Sequence, residues 1–566
     1  MQQYVIAIIV IGASMFIPLW IGSKAGEREE RTLSDFFVQS RRMNAIVLFF
    51  TVQATWWSAF AFLGASSNYY QNGPVYWTTL AWDVLFGLLF YLLGKRIWFY
   101  GKERGYLTAT DFFLDLYGFK PLGLLVTLIM MIFTIPYFEL QITGGTYLIE
   151  VISAGLIPRQ MGAFLFTSVI VIYVWTGGLR AVAWADVFYE SLIIISSILG
   201  VLFVMRQHQG ITPLFSELSR VLPEALTMPG HNQTAGPNLW VSMFFIVPIG
   251  ALMAPPLWTR MYAAREEKVF DRLPFFLALI SILNLAPMLV GNSGLLLLPD
   301  LAMADALLPQ YVLRYAPYFM AYVILIGGAA AAMSTANSQI HSISATYTID
   351  IHRRYLRPDM NERGLITTGR IVIVLFALLS YLSYLYFPGV IIQLGLLALS
   401  GTSQLLIPVC GALFWNRSHG VGAFSGLLTG LTLVIGLHYQ LGFETSDAAL
   451  IGLAGNAFVF FAVSRFLPLQ KTNANRITSL RVLYQEQTSE DTKDPAVRRR
   501  RSGIYGILLI GFLSIEFPGI FLINRIDPWI LGLPFLYGFV LLVWAIMTLT
   551  LLYAALTAWG KQPLKP

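Results

Sequence analysis

Apolar runs long enough to cross a hydrocarbon core recur along this chain, and nothing constrains its fold more. About fifteen such runs are legible, at 4–22, 44–68, 76–98, 121–147, 161–177, 187–205, 239–258, 274–297, 317–340, 369–387, 390–414, 421–439, 448–468, 504–524 and 534–557. A bilayer core offers no water to backbone amides and carbonyls, so each crossing must be helical. The chain is therefore expected to be an all-α polytopic membrane protein of about 15 spans. Charged residues make up only 12% of its 566 residues, about half the share of a typical soluble chain. No cleavage pattern follows the first run, which is expected to be retained.

Basic residues set the expected orientation. With the N-terminus outside and the C-terminus cytoplasmic, only Arg159, Arg206, Arg220, Arg314 and Arg525 of the 37 Lys and Arg fall in outer loops. The net charge of +7 is thus a topological signal and does not point to nucleic acid. Arg498–Arg501 would hold one helix end against anionic lipid. The single cysteine, Cys410, lies inside an apolar run, and the six histidines are scattered, which leaves no disulfide and no thiol or imidazole metal site. Phosphate-loop, zinc-protease and kinase signatures are absent from the sequence, so no enzymatic activity is expected.

Polar residues inside apolar runs carry the functional signal. Ser334 and Thr335 close the small-residue stretch Ala321–Ala332, and neighbouring hydroxyls are uncharged oxygen donors suited to a hard monovalent cation. Ser and Thr also bond back to their own helix, so packing is the competing reading. The second run, from Val52 to Ser67, is rich in small and polar residues. Gly64 and the Ser66–Ser67 pair suit a helix interrupted near the midplane, which would free carbonyls for a cation and amides for a solute. Trp240, Phe244 and Pro248 share one face of the seventh run, and the proline removes a backbone bond halfway across. Glu139, beside Gln141, and Glu516 are lone acids at segment centres, costly in lipid and expected to face the interior.

These motifs, in this order, resemble the sodium:solute symporter family over about residues 34–430. The resemblance rests on Asp35-Phe-Phe-Val-Gln-Ser-Arg41, on Ala54 through Gly64, on Thr108-Ala-Thr-Asp-Phe112, and on Thr176-Gly-Gly-Leu-Arg-Ala-Val-Ala-Trp-Ala-Asp186. It is densest in Ala332-Met-Ser-Thr-Ala-Asn-Ser-Gln339, followed by Thr348-Ile-Asp350. It implies a LeuT-type inverted repeat of 5+5 transmembrane helices with extra helices. Applied here, 1–43 is an extra helix and cytoplasmic loop, 44–206 the first repeat (segments 2–6) and 207–238 an external loop. The second repeat (segments 7–11) is 239–414, with additional helices at 415–468, a flexible or partly helical cytoplasmic linker at 469–503, and a C-terminal helix pair at 504–566.

The resemblance further implies a sodium site made of the carbonyls of Ala54, Trp57 and Ala331 with the hydroxyls of Ser334 and Thr335. It gives Asp186 an accessory or second-ion role, and it places Ser58, Gly64, Tyr137, Trp240, Phe244 and Pro248 around the solute. Two positions depart from the proline-like branch: Trp56 stands where that branch has an acid, and Phe244 where it has a tyrosine. Stretches at 105–111 and 250–264 resemble the monocarboxylate branch. The expected function is sodium-coupled import of a small organic solute, an amino acid or a short monocarboxylate, by alternating access. The setting would be a bacterial inner membrane, with the protein a monomer or weak oligomer. Proton coupling through Glu139 or Asp186, a transporter-like sensor, and a passive channel are the alternatives.

Overall fold

The structure is a computed structural model that describes residues 32–468, 471–487, 495–557 and Trp559, together with Gly12 and Ile17. The apolar run at 4–22 otherwise lies outside the described residues. Every regular element among them is a helix. Among the described residues, ten helices are long and apolar enough to span a bilayer, or eleven when one bent pair counts as a single span. The first expected run is not part of that count, and several of the other expected crossings are broken or merged. Ala45–Trp56 and Arg159–Trp175 stop short of a full span, and the segments on either side of Gly73 merge into one apolar stretch, Phe60–Arg104.

Each break has a local cause. The Ala45–Trp56 helix ends where Trp57 leaves helical geometry (φ −83°, ψ 87°), and a π-helical turn, Phe60–Gly64, resumes the path. The interruption thus lies at Trp57–Ser58, one to two turns before Gly64. Gly64 is helical (φ −64°, ψ −36°) and packs closely on Ile391 and Ile392: a Cβ there would stand 2.8 Å from Ile391 Cγ2. In the seventh run Pro248 remains inside the Pro237–Met253 helix. The chain bends by 57° further on, at Ala254. Two prolines follow, and a residue before proline is driven out of the α region, as Ala254 is (ψ 146°). The Arg159–Gln207 helix is broken at Gly178, whose φ of 53° suits glycine.

The centre of the molecule is the Tyr318–Thr346 helix, packed against Arg159–Gln207 and Lys120–Ile152. Gly327, Gly328 and Ala329–Ala332 permit this approach; a Cβ on Gly327 would overlap Ser196. The Ile391–Ser403 helix lies between Lys120–Ile152 and Pro237–Met253. Outside this core, Gly420–Leu441 and Thr445–Phe466 form a hairpin, and Pro495–Ile515 pairs with Phe535–Thr557. Outward stripes are apolar: Leu124, Leu128 and Ile132 recur every four residues on one exposed face. That arrangement suits a hydrocarbon solvent and would be unfavourable in water.

The 207–238 loop lies over the end of the second run. Asn232 Nδ2 donates to the Gln71 carbonyl and the Thr234 hydroxyl to Asn72 Oδ1, each at 2.8 Å. The 469–503 stretch contains the Lys471–Gln487 helix, and Arg498–Arg501 belong to the start of the Pro495–Ile515 helix.

Candidate functional site

The last turn of the Ala45–Trp56 helix meets the central helix. The Ala54 carbonyl accepts from the Ser334 hydroxyl at 2.8 Å and the Thr335 hydroxyl at 3.2 Å. Ser334 also reaches the Ala331 carbonyl at 3.1 Å and Thr335 the Thr55 carbonyl at 3.2 Å. Ser334, Thr335, Ala54 and Ala331 are all fully buried. Ser334 and Thr335 stand in the middle of the Tyr318–Thr346 helix, which runs on for three further turns. Trp57, at the break itself, uses its N–H on the Gln53 carbonyl. Both hydroxyl oxygens therefore lie within hydrogen-bond reach of one carbonyl oxygen. A small cation entering between them would turn both hydroxyls to present lone pairs, and the donor set would be neutral oxygen throughout.

The second half of the broken segment is capped at the same place. Ser58 Oγ accepts from the Phe60 amide and Gln141 Oε1 from the Ala59 amide, each at 3.1 Å. Below the break lies a narrow cavity of about 10 Å3, room for a single water. Trp56, Trp57, Ser58, Tyr76, Asp83 and Tyr137 are among its walls. Of the residues expected around the solute, Ser58 and Tyr137 line it. Pro248 is represented there only by its neighbour Val247, and Gly64 lies outside the lining. Trp240 and Phe244 do share a face, but that face meets the C-terminal pair. Trp240 Nε1 donates to the Ile515 carbonyl at 3.1 Å, and the Phe244 ring lies 5.2 Å from that of Phe512.

One turn from the hydroxyl cluster sits a buried charge network. Asp186 pairs with Arg260 at 3.1 Å, and neither side chain is exposed. The Thr51 hydroxyl donates to Asp186 as well, and Arg260 reaches Ser338, the Pro256 carbonyl and Thr51. Thr55 donates to the Thr51 carbonyl and to Ser338, which joins this network to the cluster. Arg180, a nearer partner for Asp186 in sequence, faces Asp35 instead, at 3.9 Å. Glu139 accepts from Ser383 at 2.5 Å, and Glu516 accepts from Thr78 at 2.7 Å.

Arg260 and Asp83 escaped sequence reasoning. Asp83 carries the same signal as Glu139, a lone acid within an apolar run. Arg260 lies just past the seventh run, on the Pro255–Ala263 helix, where its partner cannot be read from spacing.

Known proteins point the same way. The sodium:solute symporter family model matches residues 36–430. The sodium/pantothenate symporter of Escherichia coli is 28% identical over 404 residues, covering 70% of this chain and 83% of that protein. An uncharacterized symporter of Bacillus subtilis, YhjB, is 26% identical over 436 residues, covering 76% and 88%. A solved sodium-coupled sialic acid symporter, in a substrate-bound outward-open state, superposes with a TM-score of 0.71. At 18% identity it covers 82% of this chain and 98% of its own, a likeness of fold. With a family model covering most of its length, this multi-pass chain belongs to the sodium:solute symporter family.

Proposed function

We propose that the protein is a sodium-coupled symporter that imports a small organic solute across a bacterial inner membrane by alternating access. The observation that carries this reading is the convergence of the Ser334 and Thr335 hydroxyls on the Ala54 carbonyl. Sodium takes that position, with the carbonyls of Ala331 and Trp57 completing five neutral ligands. The ion then bridges the break after the Ala45–Trp56 helix to the central helix, so binding it fixes the break. Ser58 and Tyr137, just beyond, contact the solute. Gly64 supports them from the Ile391–Ile392 contact, while Trp240, Phe244 and Pro248 hold the seventh-run helix that forms the far wall.

Ion and solute thus share one ordered geometry, and each tightens the other. A tenfold sodium gradient is worth about 1.4 kcal/mol and 100 mV adds about 2.3 kcal/mol per charge. One sodium then concentrates a neutral or zwitterionic solute roughly 500-fold. Asp186 is already neutralised by Arg260. We assign that pair to locking four helices together beside the ion path, with a single sodium carrying the coupling.

The test is uptake into proteoliposomes of labelled amino acids, monocarboxylates and sugars under an inward sodium gradient, an inward proton gradient, or neither. Accumulation with sodium alone supports the proposal. Accumulation with protons alone transfers the coupling to a carboxylate, Glu139 or Asp186.

A further inference from the structure

The Lys268–Ile280 helix begins in a run of mixed charge, Arg265-Glu-Glu-Lys268 followed by Asp271-Arg272, and its acids are all engaged. Buried Lys95 takes Glu267 at 2.6 Å and Asp271 at 2.8 Å, and Glu266 meets Arg265 at 3.7 Å. Lys268 and Arg272, one turn apart, are exposed and form no ion pair among the described residues. Phe276 and Leu279, both well exposed, continue the same helical face. Along that face the side chains pass from charged to apolar. Such a change marks the level at which a helix leaves lipid headgroups for hydrocarbon.

Two apolar grooves flank this strip, and Lys268, Arg272 and Phe276 border both of them. One, of about 450 Å3, is walled by Ile46, Phe49, Phe50 and Leu273, with the Phe49 ring 5.5 Å from that of Phe276. The other, of about 500 Å3, lies between Phe275 and the Phe535–Thr557 helix, where Leu552, Ala555 and Leu556 line it with Trp559 just beyond them. Trp544 holds that helix in place: its Nε1 donates to the Ala278 carbonyl at 3.0 Å and the Ser281 hydroxyl at 2.8 Å. Trp559 is buried and stacks on Tyr91 at 4.1 Å, yet among the described residues its indole N–H has no acceptor. A buried donor left unpaired is costly, and a ligand oxygen in the groove would satisfy it. This second wall lies beyond residue 430, where the family match ends.

We propose that this site takes one anionic diacyl phospholipid, its phosphate held by Lys268 and Arg272 and one acyl chain in each groove. Two unpaired cations at the apolar boundary match a phosphodiester, to which the Arg272 guanidinium can offer two parallel donors. Two grooves sharing one charged border match two chains leaving one headgroup, and the Trp559 N–H is offered to a lipid oxygen. A soluble anion would leave both grooves unfilled, and a zwitterionic lipid would bring a cation of its own towards Lys268 and Arg272. The bound lipid joins the core helix to the C-terminal pair, so the pair completes a lipid site that the core alone lacks.

The experiment is thermal stabilisation of the purified full-length protein in detergent, titrated with phosphatidylglycerol, phosphatidylcholine or inorganic phosphate. Phosphatidylglycerol is expected to raise the unfolding temperature, and the other two at the same concentrations are not. Lys268→Gln combined with Arg272→Gln is expected to raise the half-effective phosphatidylglycerol concentration about 30-fold, while the lipid-free unfolding temperature stays that of the wild type. Arg353→Gln combined with Arg363→Gln removes the same charge from exposed positions elsewhere and is expected to leave the titration within about twofold of the wild type. Equal stabilisation by phosphatidylcholine, stabilisation by inorganic phosphate alone, no effect of phosphatidylglycerol, or equal losses in the two charge-removing variants would each overturn the proposal.

Discussion

Removing one hydroxyl of the Ser334–Thr335 pair should weaken sodium binding, whereas removing a buried hydroxyl elsewhere on the same helix should not. Ser334 Oγ lies 2.8 Å from the Ala54 carbonyl and 3.1 Å from that of Ala331, fully buried. In the empty protein Ser334→Ala deletes a neutral hydrogen bond, about 1 kcal/mol. Thr335 still meets the Ala54 carbonyl, at 3.2 Å. With sodium bound, the same oxygen faces a full charge, and a bond to a charged group is worth about 1.5–3 kcal/mol. The affinity changes by the difference, about 0.5–2 kcal/mol, so at 1.4 kcal/mol per decade the half-saturating sodium concentration should rise about 2- to 30-fold. The assay is that concentration, measured for uptake and for thermal stabilisation. Ser342→Ala is the control: its hydroxyl is as buried and bonds within its own helix, to the Gln339 carbonyl at 2.9 Å. Sodium dependence there should stay within about twofold of the wild type. Equal sodium affinities in the Ser334→Ala and Ser342→Ala proteins would refute the reasoning.

Other substitutions separate structure from transport. Arg260→Leu or Asp186→Asn alone strands a buried group and should cost about 3–5 kcal/mol, while the double variant should regain most of it; survival of the detergent-solubilised protein after heating checks this, and additive losses would remove the pair from the account. Gly250→Val should sharply reduce folded protein in membranes, because a Cβ at that site would stand 2.3 Å from the Leu399 carbonyl oxygen, whereas Gly436→Ala, with nothing within 4 Å, should express normally. Trp240→Phe loses the indole N–H that meets the Ile515 carbonyl and the Glu516 carboxyl. It should cost about 1 kcal/mol of stability, with the KM for solute and the sodium dependence of uptake both unchanged; a selective rise in KM would return Trp240 to the solute site.

What the sequence makes legible here is whatever depends on one helix at a time. Ser334 and Thr335 are conspicuous because hydroxyls interrupt a run of small apolar residues, and lipid-facing helices have no use for them. Trp240 and Phe244 do lie on one face, since a four-residue spacing fixes that without knowledge of a partner. Which partner they meet depends on where the C-terminal pair docks, and nothing in the spacing reveals that Ile515 and Phe512 come to lie there. The same limit hid Arg260, since Asp186 finds it across 74 positions rather than the six that separate Asp186 from Arg180. Breaks were harder to place than to anticipate: glycine and serine at 64–67 suit an interruption, yet the chain breaks at Trp57, and Gly64 instead serves close packing against Ile391.

The most direct test of sodium coupling reverses the usual experiment. Proteoliposomes with equal sodium on both sides are given a steep inward gradient of the transported solute, and entry of radiolabelled sodium is followed. The account predicts that solute running downhill carries sodium in with it, and that Ser334→Ala combined with Thr335→Ala abolishes this flux while the protein remains folded. Solute entry that carries no labelled sodium would contradict it.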